Sequence, residues 1–205
     1  MKKNKVILTV IFLFVFADIF AQTDSPIPED KKYFIGSTLF VPYAWTQSPS
    51  PEYYQLNFGY RIDAKNTITL ETITWKYQGP LGRPYGSDFD NEESNFPGEV
   101  QAFGAGLTYQ RFFWKGLYGQ VHATAFKQNY LDLEGDKIQS GFQLFNSFRV
   151  GYHIEFFKNR LFIEPSVCIT WWPVNTNLPE SFQIEEDKWN NFFLGEPGIH
   201  FGINF

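Results

Sequence analysis

The chain of 205 residues carries one cysteine, Cys168, and one methionine, at its start. A single thiol forms no internal disulfide and builds no multi-cysteine zinc site. Histidine is scarce too, with three in all. No Gly-rich phosphate loop, nucleophile elbow or credible Ser-His-acid set is present. Basic charge is in deficit, with 17 Lys and Arg against 22 Asp and Glu and a pI near 5.2. That balance excludes a typical nucleic-acid partner. Long apolar runs are missing beyond the first twenty residues, so no membrane helix is expected in the rest of the chain. What is present in excess is aromatic: 24 Phe, 11 Tyr and 6 Trp. Such wealth at a mean hydropathy of −0.28 argues against disorder, a coiled coil or a helical membrane bundle.

Lys2, Lys3 and Lys5 precede an apolar stretch, Val6 to Phe16, which leads to Ala17-Asp18-Ile19-Phe20-Ala21. This is the layout of a secretory signal peptide, with cleavage expected after Ala21. The apolar stretch is about half the ~20 residues that a spanning helix needs. Residues 1–21 are thus expected to be a signal peptide, 22–31 an N-terminal periplasmic tail and 32–205 a barrel domain. Removing three Lys and one Asp from the totals leaves 14 basic and 21 acidic side chains. An exported chain with no membrane helix that is nevertheless kept in a membrane needs strands to cross it.

Beyond the tail the apolar pattern has period two. Tyr54, Leu56, Phe58, Tyr60 and Ile62 alternate with Gln55, Asn57, Gly59 and Arg61, and Phe142 to Phe156 repeats the pattern over fifteen residues. Each such segment reads as a strand with one apolar and one mostly polar face. The same test predicts strands near 32–43, 53–62, 66–77, 99–113, 117–129, 141–157, 161–172 and 192–205. Three connections are short: Asp63-Ala64-Lys65, Trp114-Lys115-Gly116 and Lys158-Asn159-Arg160. They alternate with long ones at 44–52, 78–98, 130–140 and 173–191. An antiparallel up-and-down meander then collects all long loops at one end. That sorting predicts an all-β fold, an eight-stranded antiparallel up-and-down transmembrane barrel with short periplasmic turns and long outer loops. The strands meet the ~9 to 11 residues needed to cross hydrocarbon. Aromatics gather at the strand ends, Trp75, Tyr77, Trp171 and Trp172 at one and Phe113, Trp114 and Phe157 at the other, as interfacial girdles do.

The chain closes on Gly198-Ile199-His200-Phe201-Gly202-Ile203-Asn204-Phe205, apolar at alternate positions and ending in Phe. Here it resembles the small outer-membrane β-barrels, the superfamily of OmpA, OmpX and OmpW. That resemblance implies an outer-membrane location in a Gram-negative-type envelope and contact with outer-membrane lipids and lipopolysaccharide. It also implies recognition of Phe205 by the barrel assembly machinery. Lipid-modifying enzymes on such barrels place His, Ser and an acid facing lipid or near the outer loops, whereas these loops contain no His.

With the apolar parity turned to lipid, the inward set includes Arg61, Glu71, His122, Arg149, His153, Glu155, Glu164 and His200, together with Gln110, Gln120 and Cys168. An eight-stranded barrel is just wide enough for side chains to fill it, and charges inside it must pair. These residues are expected to form a structural polar network in a side-chain-filled lumen. A metal or proton site at His153, Glu164 and His200 is the sharper alternative and is disfavoured. In the longest loop Asp88, Asp90, Glu92 and Glu93 lack the turn Gly and closing Glu of a calcium loop, so a solvated acidic loop is expected. No catalytic residue, cofactor or metal is therefore expected. The functional expectation is a non-enzymatic, porin-like envelope barrel with acidic extracellular loops and a structural or surface-interaction role. Alternatives are a narrow conduit for small hydrophobic molecules, a lipid-modifying barrel enzyme and a soluble exported ligand-binding barrel.

Overall fold

The structure is a computed structural model and describes residues 31–48, 51–89 and 91–205. The expected signal peptide, and all of the expected tail but Lys31, lie outside the described residues. Strands β1 (Tyr33–Thr38), β2 (Tyr54–Arg61), β3 (Asn66–Tyr77), β4 (Glu99–Trp114), β5 (Leu117–Leu131), β6 (Lys137–Tyr152), β7 (Ile154–Phe156), β8 (Leu161–Thr176) and β9 (Phe192–Asn204) form one antiparallel sheet. Each pairs with its chain neighbour, β7 continues β6, and β1 pairs with β9, so the sheet closes as an eight-stranded up-and-down barrel. Inward neighbours followed round the ring from Phe34 pass through Gly59, Thr69, Thr108, His122, Ser147 and Thr170 to Phe193. Phe34 itself lies opposite Asn204. This stagger is what tilts strands by ~35 to 45° in a closed barrel.

The period-two pattern sets which face each residue takes. Leu56, Leu70, Leu107, Val121, Phe148, Val150, Val167 and Ile203 are exposed on the outer wall. Their strand neighbours Arg61, Glu71, Thr108, Thr124, Ser147, Cys168 and Asn204 are buried inside. An apolar belt therefore circles the molecule, far larger than the patches that water-soluble monomers expose.

Turn chemistry fixes the short-turn end. Asp63 accepts from the backbone N–H of Lys65 at 2.7 Å and of Asn66 at 2.9 Å. The Asn66 amide and these N–H groups hold its carboxyl below the usual carboxylate range. Lys115 and Gly116 both have positive φ, 41° and 92°, the backbone of a two-residue type I′ hairpin whose twist matches the strands.

Four sequence expectations change. The first strand stops at Thr38, because Phe40–Ala44 form a short helix, α1; Pro42 sits in its first turn, where a missing N–H costs nothing. The sixth strand is interrupted at His153, where the flanking register places Pro165 opposite Tyr152. Without an N–H, Pro165 gives no ladder bond there. The connection read at 130–140 shrinks to Asp132–Asp136, since β5 and β6 run on past the expected limits. In the last long connection Glu180–Glu186 form a second helix, α2.

Candidate functional site: a chamber above a filled base

Near the short turns the lumen is solid. Phe34 and Phe162 meet edge-on with ring centres 5.2 Å apart. The first lies over Gly59 and the second over Gly202, where an added Cβ would stand 1.9 Å and 2.4 Å from the rings. A polar chain runs beside them. Arg61 donates to Asn204 Oδ1 at 3.0 Å, and Asn204 donates to Glu155 Oε1 at 3.3 Å. His153 links Glu155 at 3.2 Å with Glu164 at 2.7 Å, and Gln110 donates to Glu164 at 2.9 Å. The Arg61 guanidinium also lies 5.0 Å above the Phe34 ring. The interruption of β6 places His153 between the two carboxylates, 1% exposed and stacked on Phe162 at 5.1 Å.

Higher up, Glu71 accepts from Gln55 at 2.7 Å and from Thr124 at 3.0 Å, with His122 Nε2 at 3.1 Å. The same His122 nitrogen meets Thr124 Oγ1 at 2.9 Å. The structure thus divides the expected network in two. Arg61, Glu155, His153 and Glu164 form the base, and Glu71 and His122 form a second group. His200 points inward without a hydrogen bond among the described residues, so it does not join His153 and Glu164 in a three-ligand site. Among the described residues no group of three His, Cys, Asp or Glu side chains is placed to hold a metal.

Arg149 stands apart from both groups. Its Nη1 donates to Ser166 Oγ at 2.9 Å, and among the described residues it forms no ion pair with Glu155, which lies beyond the interruption on β7. The inward carboxylate near it is Glu196, which the sequence reading passed over. Counting back from Asn204 by twos reaches Glu196, so parity alone would have found it; its place beside Pro197 and close to a loop hid it.

Between the base and the long loops lies a cavity of about 830 Å³. This corrects the expected side-chain-filled lumen. A barrel this strongly staggered is wider than its strand count alone suggests, and small inward residues such as Thr108, Ser147 and Thr170 leave its upper half unfilled. The walls combine Phe126, Phe145, Trp172 and Phe193 with Gln120, Glu71, Arg149 and Glu196.

Two features shape the surroundings of the chamber. Beside it, outside its lining, α2 inserts Phe182, 0% exposed, against Phe96 at 4.9 Å and Tyr130 at 5.5 Å. Glu186 of α2 accepts from Trp172 Nε1 at 3.2 Å and Asn175 Nδ2 at 3.3 Å. Burial pushes its carboxyl above the usual carboxylate range. At the side, β1 leaves the ring at Thr38 while β2 and β9 continue upward, and Leu39, Phe40 and Tyr43 line the cavity there. Ile199 O takes the last backbone bond from this segment, from Leu39 N–H at 2.9 Å. Pro197 is the next residue of that edge and has no N–H to leave unpaired.

Neither a protein-family model nor a curated protein matches the chain. Among solved structures it is similar to the crystal structure of CarO2 from Acinetobacter baumannii, at 11% identity over 85% of this chain and 97% of that one. The TM-score is 0.37, a likeness too distant to bear on function.

Proposed function

We propose that the chain is a non-enzymatic outer-membrane barrel of a Gram-negative-type envelope that holds a small, largely apolar molecule in its chamber. The observation that carries this reading is the cavity of about 830 Å³ over a filled base. Ligand sites are concave, mostly apolar and lined by a few polar groups, with volumes of ~300 to 1,000 Å³. The belt of exposed Leu, Val, Ile and Phe supports a bilayer surrounding, where such a surface is solvated by acyl chains. Outer-membrane lipids and lipopolysaccharide are then the neighbours of the belt and the acidic loops. Phe205 exchanges both backbone bonds with Tyr33, at 3.1 and 2.9 Å, a position that fits engagement by the barrel assembly machinery.

The base blocks passage along the axis, which favours holding a molecule over free diffusion of solutes. A purely structural role is the second reading, and the filled base is the observation on its side. Titration of the barrel in lipid nanodiscs with neutral 2-phenylethanol, against empty nanodiscs, separates the two. Binding that disappears in Ser147→Phe, which fills the chamber with a ring, is the expected result. Ser147 Oγ has no hydrogen bond to lose. No binding to the parent barrel, or binding unchanged by the added ring, would leave the structural role.

A further inference from the structure

The lumen charges divide into those held by several partners and two that are not. Glu71, Glu155 and Glu164 each accept at least two hydrogen bonds or ion-pair contacts. Arg61 is held by Asn204, the Lys31 carbonyl and the Phe34 ring. Arg149, with five N–H donors, uses one on Ser166. Glu196 has the short Cys168 beside it on β8. No N···O contact within 4.0 Å joins Arg149 and Glu196 among the described ion pairs. Both face the chamber.

Their separation is built into the wall. Arg149, Cys168 and Glu196 lie side by side on β6, β8 and β9. Cys168 is too short to fill the space between its neighbours. The guanidinium crosses beneath it, so that a Cβ on Gly198 would stand 2.4 Å from Arg149 Nη1. Gly198, over which the guanidinium lies, and Glu196 are two residues apart on one face of β9, so their backbones are offset by about one pleat repeat, ~7 Å. Such a gap takes a charge-assisted hydrogen bond of ~2.8 Å at each end, with a compact zwitterion between them. Toward the mouth the next inward rings are Phe193, Phe145 and Trp172, the last two stacked at 5.8 Å.

We propose that Arg149 and Glu196 form a subsite for a small zwitterion bearing an ammonium and a carboxylate on one carbon, with an apolar body lying against these rings. The subsite deepens the chamber reading and rests on it. Arg149 and Glu196 are half-buried on the chamber wall, and a ligand of matching polarity that bridges them pairs both charges at once.

The test is titration of the full-length barrel in nanodiscs with four probes of one shape: L-phenylalanine, 3-phenylpropanoate, 2-phenylethylamine and 2-phenylethanol. L-Phenylalanine is expected to bind at least tenfold more tightly than each of the others. In Arg149→Gln its advantage over the amine should collapse to about onefold while its advantage over the propanoate persists; Glu196→Gln should give the mirror result. Far-UV circular dichroism establishes that each variant is folded, and the four-probe series on the parent protein decides the proposal if a variant is not. Tight binding of the alcohol with no advantage for L-phenylalanine would overturn the subsite and leave the chamber standing. Binding of none of the four would remove both.

Discussion

Replacing Phe182 by Ala tests whether α2 is held as a docked cap on the long-loop end of the barrel. The ring is 0% exposed and packs on Phe96, Tyr130 and Val100, with Tyr77 and Leu178 beside them. A buried phenyl ring of ~150 to 200 Å² is worth about 4 kcal/mol at ~25 cal/mol/Å². Measured Phe→Ala changes in well-packed sites cost about 3 to 5 kcal/mol. A seven-residue helix has no stability of its own to set against that loss. The cost therefore falls on docking and not on the barrel ladders, and a loss of ~3 kcal/mol raises the undocked population by roughly 150-fold. Lys188 follows the helix directly and pairs with Glu185 at 2.7 Å. Trypsin should cut at Lys188 about a hundredfold faster in Phe182→Ala, with cleavage at Lys115 in a short turn unchanged. If the Lys188 rate stayed at the parental level, Phe182 would not be holding the cap. If cleavage accelerated equally at both lysines, the ring would be supporting the whole barrel.

Other expectations follow from the same geometry. Glu186 faces Tyr77 of β3, Tyr130 of β5, Trp172 and Asn175 of β8 and its own neighbour Asp187. Its carboxyl is raised in the docked state, so its contribution is full below the ordinary carboxylate range and is lost as pH rises through the raised value. Hydrogen exchange of 180–186 should quicken between acid and neutral pH, and Glu186→Gln should flatten that dependence; a slope unchanged in the variant would assign it to another group. On the outer belt, Phe148→Arg near the middle of the β6–β7 span should cost about 2 to 4 kcal/mol in lipid refolding, whereas Gln120→Ser on the chamber wall costs much less. The reverse order would mean that the faces are assigned the wrong way round. Deleting Phe205 should reduce insertion in cells far more than refolding into detergent, and equal losses in both would leave the residue an anchoring role alone.

The strands were legible because an apolar outer wall and a polar lumen impose a strict period of two, and the register needed only three tight turns to lock it. Where that rule meets a competing one, the reading fails. Leu39, Phe40 and Val41 extend the pattern of β1, but Pro42 offers no N–H to a ladder and the chain turns into α1 instead. Helix α2 announces itself faintly, through Leu178-Pro179 and then Phe182 and Ile184 among acidic residues, a signal too short for periodicity to stand out. Side-chain facing followed from parity, so all three histidines and both lumen arginines lie where expected. Their partners did not follow. Which of Glu155, Glu164 and Glu196 stands near Arg149 depends on the stagger of the ring and on bulges such as the one between Cys168 and Ile169. The chamber has the same origin, since its volume is set by how far the strands slip past one another.

The early departure of β1 has a kinetic consequence. The seam joining β1 to β9 has five register pairs, Phe34 with Asn204 to Thr38 with His200, whereas β5 and β6 share fifteen. It is also the one ladder whose two sides come from opposite ends of the barrel, so joining them closes a loop of roughly 170 residues at an entropic cost of ~4.5 kcal/mol. A short ladder thus meets the largest closure cost. The other hairpins form locally and cheaply, which makes this seam the last to zip during folding and the first to part when the barrel is unfolded.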